Sequence, residues 1–301
     1  MKIDRLHSLL DSTDEAESWL APLGVTYTRA AHGVLTNLAM SGLPLDLLAT
    51  ICEQIAEVAP QLADPDRALN SLERFLLAAR SPLSMAALFE RDPKSLPNLL
   101  LMFASSQNFS DQLCTDPESF DLLRMTQGRP VAREMLVDEL VSNVRTMTNQ
   151  EDVLAALRRF KRRETLRIAY GDIVQGLPVS QITRQISYVA DAVVEAALEF
   201  AQRTVAEKRS QRNGHQFKQP QFVVLALGKL GGLELNYSSD IDLVFLYRPA
   251  NGADTSMHTD IQDYANRVSQ ELIRLLTETT SLGFAYRVDM RLRPEGRQGP
   301  V

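Results

Sequence analysis

The stretch GKLGGLELNYSSDIDLVFLY runs from Gly228 to Tyr247. It opens with three glycines, Gly228, Gly231 and Gly232, set around Lys229 and Leu230. It closes with Asp240 and Asp242, one residue apart, at the mouth of an apolar run. Ile241 to Tyr247 is rich in β-branched, aromatic and large aliphatic residues and is short enough to be a strand. Residues two apart on a strand share a face. Asp240 and Asp242 are therefore expected to project together, with Ile241 and Leu243 turned into the core. Two carboxylates that close repel one another, and a divalent cation removes the conflict. Mg²⁺ suits such a pair, because it takes one or two carboxylates and leaves its other positions to water and phosphate.

The flanking sequence extends this reading. Phe222 to Leu227 is a continuous β-prone run, read as a buried strand. Thr259 to Thr280 carries Ile261, Ala265, Val268, Leu272 and Leu275 at helical spacing, with Gly283 where a C-terminal stop would fall. A third strand is expected over Phe284 to Leu292. There Arg287, Asp289, Arg291 and Arg293 occupy one face and apolar or aromatic residues the other. Asp289 beside the Asp240–Asp242 strand would bring three carboxylates together, flanked by arginines able to grip phosphate. The order strand, strand, helix, strand indicates an α/β domain.

Upstream of about residue 208 the pattern is helical throughout. Leu72, Phe75, Leu76 and Ala79 form one face. Thr148-Asn149-Gln150-Glu151 fits a capping box with Thr148 as the cap, opening a helix that Gly176 and Pro178 end. Ile182, Ile186, Val189, Val193, Ala197 and Phe200 mark a second long helix. The polar run Glu207 to Gly214 reads as a linker. The expected fold class is α+β, with an all-helical domain over 1–208 followed by a mixed-sheet α/β domain over 209–301. The basic stretch Arg158 to Arg167 reads first as a solvated helix face. Contact with a nucleotide, a partner or the α/β domain is the alternative.

Composition narrows the function classes. Apolar residues make up 45% and charged residues 23% of the 301, an ordinary globular balance. A net charge of −6 argues against a general nucleic-acid binder. No run approaches the length of a membrane span, and the N-terminus does not read as a signal peptide, so a cytoplasmic protein is expected. Cys52 and Cys114 make no metal or disulfide pattern and read as buried thiols. His7, His32, His215 and His258 are scattered, without zinc-site spacing. The glycines form neither a Walker A loop, since Leu230 follows Lys229 and Val223 stands where the first glycine belongs, nor GxGxxG. Ser238 and Ser239 add hydroxyls and amides able to hold a phosphate.

Three segments together carry a resemblance: Gly228 to Asn236, Ser238 to Leu243, and Arg287 to Gly296. They resemble the nucleotidyltransferase superfamily and, within it, the glutamine synthetase adenylyltransferase/adenylyl-removing enzyme family. Arg158 to Ala169 resembles that family's basic helix before the catalytic domain, and the likeness covers about residues 90 to 301. The resemblance implies a nucleotidyltransferase that removes AMP from a tyrosine of glutamine synthetase, using phosphate and releasing ADP. The partner catalytic domain of the family attaches AMP from ATP. Asp240, Asp242 and Asp289 are then implied as ligands of Mg²⁺ or Mn²⁺. Gly228, Ser238 and Ser239 would cradle phosphate, and Lys229, Arg291 and Arg293 would contact it. Glutamine synthetase is the implied protein substrate and the PII signal protein a regulator, with no nucleic acid or membrane involved. Against the family's length the chain is expected to be an N-terminal fragment or a truncated product. Other expectations are transfer to another acceptor, or a non-catalytic module that binds glutamine synthetase or PII.

Overall fold

The computed structural model describes residues 1–213, 219–248 and 258–290. The chain forms two compact units. One is Met1–Arg129 with Ala169–Leu177, and the other is Pro130–Ile168 with Pro178–Val301. These units follow packing. The 1–208/209–301 division expected from composition follows the change from helix to strand, and that change falls between Asn213 and Gln221.

The first unit is helical. Helix Pro65–Ala78 starts with Asp64 as its cap, whose carboxylate accepts from the Arg67 amide at 2.9 Å, and with proline at the first helical position. Its expected apolar face is buried, with Leu72, Phe75 and Leu76 fully enclosed. Phe75 meets Phe103 and Phe120 edge-on, with ring centroids 5.8 and 6.0 Å apart. Both thiols lie in this unit and are buried. Burial pushes Cys52 up to about 12 and Cys114 to about 11, so neither is a nucleophile at neutral pH.

The second unit is built on three long helices, α10 (Arg133–Arg145), the part of α11 (Gln150–Ile173) up to Ile168, and α12 (Val179–Asn213). The predicted stripe of α12 from Ile182 to Phe200 is buried at every position named above. The cap of α11 differs from expectation. Asn149 takes the position next to Gln150, and its side chain accepts the Glu151 amide at 3.0 Å, while Thr148 lies one residue outside. The polar run read as a linker is helix through Asn213, and Gly214 lies outside the described residues. Glu, Lys, Arg and Gln are good helix formers. Arg209 also ties this turn to α14 (His258–Thr277) through Asp260 and Asp263, each at 3.0 Å.

Strands β1 (Gln221–Leu227), β2 (Ile241–Arg248) and β3 (Val288–Asp289) form one sheet in that order. β1 and β2 are antiparallel, registered from Gln221 opposite Arg248 to Leu227 opposite Asp242. β2 and β3 are parallel, with Ile241 opposite Val288 and Asp242 opposite Asp289. Parallel neighbours need a crossover, and α14 lies in it. The mixed sheet and the order strand, strand, helix, strand are thus as expected. Ile241 and Leu243 are buried, and so is the whole predicted stripe of α14.

Three details depart from expectation. β1 is not a buried strand, because Val223 is 50% and Leu225 42% exposed on the face they share with Leu246. β3 is shorter than Phe284–Leu292. Ala285 and Tyr286 donate their amides to Leu276 of α14 at 3.0 and 2.9 Å and so cannot serve the sheet, while Arg291 and Leu292 lie outside the described residues. Gly283 does not end α14, which stops at Thr277. It closes the Thr280–Gly283 turn at φ +80°. The corrected cap makes a simple prediction for the long helix. Asn149→Ala should lower stability to urea by about 1 kcal/mol, and Thr148→Ala should stay within about 0.5 kcal/mol of the parent. Far-UV circular dichroism during denaturation measures both.

Candidate functional site

The register of β2 decides where the carboxylates go. Parallel partners project to the same face, so Asp242 and Asp289 stand side by side on neighbouring strands. Both are half-buried. Opposite Asp242 on its other side β1 ends, and the chain turns into the four-residue helical turn α13 (Gly228–Gly231). Gly228 has φ +55°, a conformation costly to any residue with a Cβ. A Cβ there would also come within 2.3 Å of Asp242 Oδ2. Glycine is thus required twice at one position, once by the backbone and once by the carboxylate beside it. Gly231 is required once, since a Cβ on it would meet the Ala226 carbonyl oxygen at 2.5 Å.

Asp240 sits just before β2 and is exposed. Its carboxylate accepts from Arg287 Nε, and Nη2 of the same guanidinium donates to the Ser238 carbonyl at 3.1 Å. Arg287 therefore serves Asp240. Ser239 is engaged locally: its hydroxyl donates to Asn236 Oδ1, and its amide to the Asn236 carbonyl at 3.2 Å. These bonds fix the turn that delivers Asp240 to the strand. Lys229 is exposed on α13. Arg291 and Arg293 lie outside the described residues.

Among the described residues, no three His, Cys, Asp or Glu side chains are gathered so as to hold a metal ion. The local chemistry nevertheless fits a hard divalent cation. Asp242 and Asp289 offer oxygen ligands from adjacent strands, and the missing Cβ of Gly228 lets the Asp242 carboxylate stand against the turn. Asp240 is the expected third carboxylate. Its ion pair with Arg287 is exposed on both sides, and such pairs contribute only ~0–1 kcal/mol, so a stronger cation would displace the guanidinium at little cost.

Several supporting residues carried no signal read from the sequence. Ser187 of α12 accepts the Leu235 amide at 3.2 Å and so fastens the loop between the glycines and Asp240. The basic stretch on α11 is not a solvated face. Arg158 and Arg167 are buried, and Lys161 is half-buried. Arg167 pairs with Glu164 at 2.6 Å and donates to Gln185 at 3.0 Å. Lys161 Nζ donates to the Ala285 carbonyl and stands 4.2 Å from the Tyr286 ring centroid. Burial, with Arg158 and Arg287 nearby, pulls its ammonium down to about 8. Of the alternatives for this stretch, contact with the segment leading into β3 is the one found. A direct check on the glycine turn follows. Gly228→Ala should cost about 1–3 kcal/mol through left-handed strain alone. Gly232→Ala, whose Cβ would meet nothing closer than 3.6 Å, should be neutral or slightly stabilising by up to ~1 kcal/mol. Denaturant titration of both variants measures the contrast.

Known proteins resemble this chain in sequence over most of its length. The family model for glutamate-ammonia ligase adenylyltransferase matches residues 96–301. A bifunctional glutamine synthetase adenylyltransferase/adenylyl-removing enzyme from Hahella chejuensis is 31% identical over 95% of this chain and 31% of its own length. Proteins of the same name from Pseudomonas aeruginosa and Pseudomonas putida are 34% and 32% identical over 81% and 78% of the chain, each matched over 25% of its own length. The chain thus spans less than a third of the relatives it matches. The match begins in the first unit's helices and runs through the glycine turn and all three strands. The chain belongs to the glutamate-ammonia ligase adenylyltransferase family.

Proposed function

We propose that this chain carries the adenylyl-removing site of such an enzyme, cleaving AMP from a modified tyrosine of glutamine synthetase with phosphate. The observation that carries the reading is the parallel β2–β3 register, which sets Asp242 beside Asp289 against a glycine that cannot be replaced without moving Asp242. In the reaction an oxygen of inorganic phosphate attacks the adenylyl phosphorus. The bond from phosphorus to the tyrosine oxygen breaks, ADP leaves, and the tyrosine oxygen takes up a proton.

In this reading Asp240, Asp242 and Asp289 would hold Mg²⁺ or Mn²⁺. When bound, the metal would offset charge on the phosphoryl oxygens and orient them. The chain's own residues do the rest. Gly228, which lets the Asp242 carboxylate stand against the turn, would face the substrate phosphate. Ser238, Ser239 and Lys229 would contact phosphate, Ser239 also shaping the turn and Lys229 offering an exposed ammonium. Arg291 and Arg293 remain proposed phosphate contacts. Nucleotide substrates, glutamine synthetase as protein substrate, PII as regulator and a cytoplasmic setting belong to the same proposal. Among the described residues no helix is long and apolar enough to cross a membrane.

One observation favours a second reading. Asp240 is paired with Arg287, an arrangement that also suits a module binding glutamine synthetase or PII without turnover. The assay that separates them incubates the chain with adenylylated glutamine synthetase, Mn²⁺ and phosphate and measures ADP. Catalysis predicts phosphate-dependent ADP release that Asp242→Asn lowers by at least about 10²-fold. Binding of the modified enzyme with no ADP release, when a full-length relative is active in the same assay, would select the module.

A further inference from the structure

β3 meets β2 through two registered residues among those described, Val288 and Asp289. Parallel pairing is slightly weaker per residue than antiparallel, and a pairing this short does not hold its own register. A slip of one residue would turn Asp289 to the opposite face. Something outside the sheet must fix the strand, and two cations on one helix are placed to do so. Arg158 is buried and points its guanidinium at the segment between α14 and β3. Its Nε donates to the Gly283 carbonyl at 2.8 Å, and its remaining nitrogens reach the Glu278 and Leu275 carbonyls. One turn further along α11, Lys161 donates to the Ala285 carbonyl and lies over the Tyr286 ring. The next residue, Arg287, gives its carbonyl to the Ile241 amide at 3.0 Å, the first link into the sheet.

We propose that Arg158 and Lys161 are positioning residues that set the register of β3, and thereby hold Asp289 level with Asp242. The register claim stands on this geometry alone; its consequence for metal binding rests on the function proposed above. The fork of Arg158 fixes the turn, where it satisfies carbonyls left open at the end of α14. Lys161 fixes the direction of departure. Its ammonium and the flat face of Tyr286 hold the backbone where Arg287 can reach Ile241.

The test measures amide hydrogen exchange at Ile241 in the 301-residue chain. Lys161→Met should speed that exchange by at least about tenfold through local opening, leaving the thermal midpoint and the exchange of α12 close to those of the parent. Lys161→Arg, which keeps a donor and a cation over the ring, should restore slow exchange. Arg158→Lys gives the same comparison by loosening the turn, should Lys161→Met fail to fold. Unchanged Ile241 exchange in a folded Lys161→Met would overturn the proposal.

Mn²⁺ affinity, followed by electron paramagnetic resonance, supplies a second readout with a telling sign. Loss of a nearby positive charge alone would tighten cation binding. Loss of positioning should weaken it, by roughly 10–100-fold. Tighter binding in Lys161→Met would therefore count against positioning. If the parent chain takes up no Mn²⁺ but Lys161→Met still speeds Ile241 exchange, the register claim stands and the metal reading falls.

Discussion

The pairing of Asp242 with Asp289 is the constraint on which the candidate site turns. Among the described residues it joins two strands through two residues, in the weaker of the two sheet geometries, across a connection that includes the whole of α14. Such a contact is a consequence of packing. α14 buries its apolar stripe, its last turn receives the amides of Ala285 and Tyr286, and α11 supplies cations that hold the turn between. Contacts made along α11 and α14 thus decide where one of the carboxylates stands.

The other carboxylate is set by local chain geometry. Leu227 faces Asp242 across the antiparallel ladder, so the residue after the strand must pass its side chain at close range. Only a residue without a Cβ passes at φ +55° within reach of Oδ2. Ser187 and the Asn236–Ser239 turn then hold the loop that leads to Asp240. The site joins one local device, the glycine turn, to one long-range device, the anchored third strand. A metal-dependent phosphate site needs both, because ligands from different strands must meet at a fixed spacing.

What could be read from the sequence follows the range of the interactions. Period-based features were legible: the stripes of α12 and α14, the strand order, and the inward turn of Ile241 and Leu243. Features that depend on distant partners were not. Arg158 to Arg167 has the composition of a solvated face, yet Arg158, Lys161 and Arg167 point inward. Their partners are carbonyls over a hundred residues later in two cases, and Glu164 with Gln185 in the third. Glu207 to Asn213 looks like a linker because its residues are polar, but α14 offers Arg209 two carboxylates and the helix continues. β3 looked longer because its alternation persists beyond the point where backbone amides turn to Leu276. Asp240 was expected to act with Asp242, and no pattern in the sequence distinguishes that role from its pairing with Arg287.

The most direct test of the account is paramagnetic broadening of backbone amide resonances as Mn²⁺ is titrated into the chain. A cation held by the sheet-face carboxylates should broaden Gly228, Asp242 and Asp289 first and together, at substoichiometric metal. Broadening that begins instead at the acidic residues of α14, around Asp260 and Asp263, or that spreads without saturation over the surface, would contradict a metal site at the β2–β3 register.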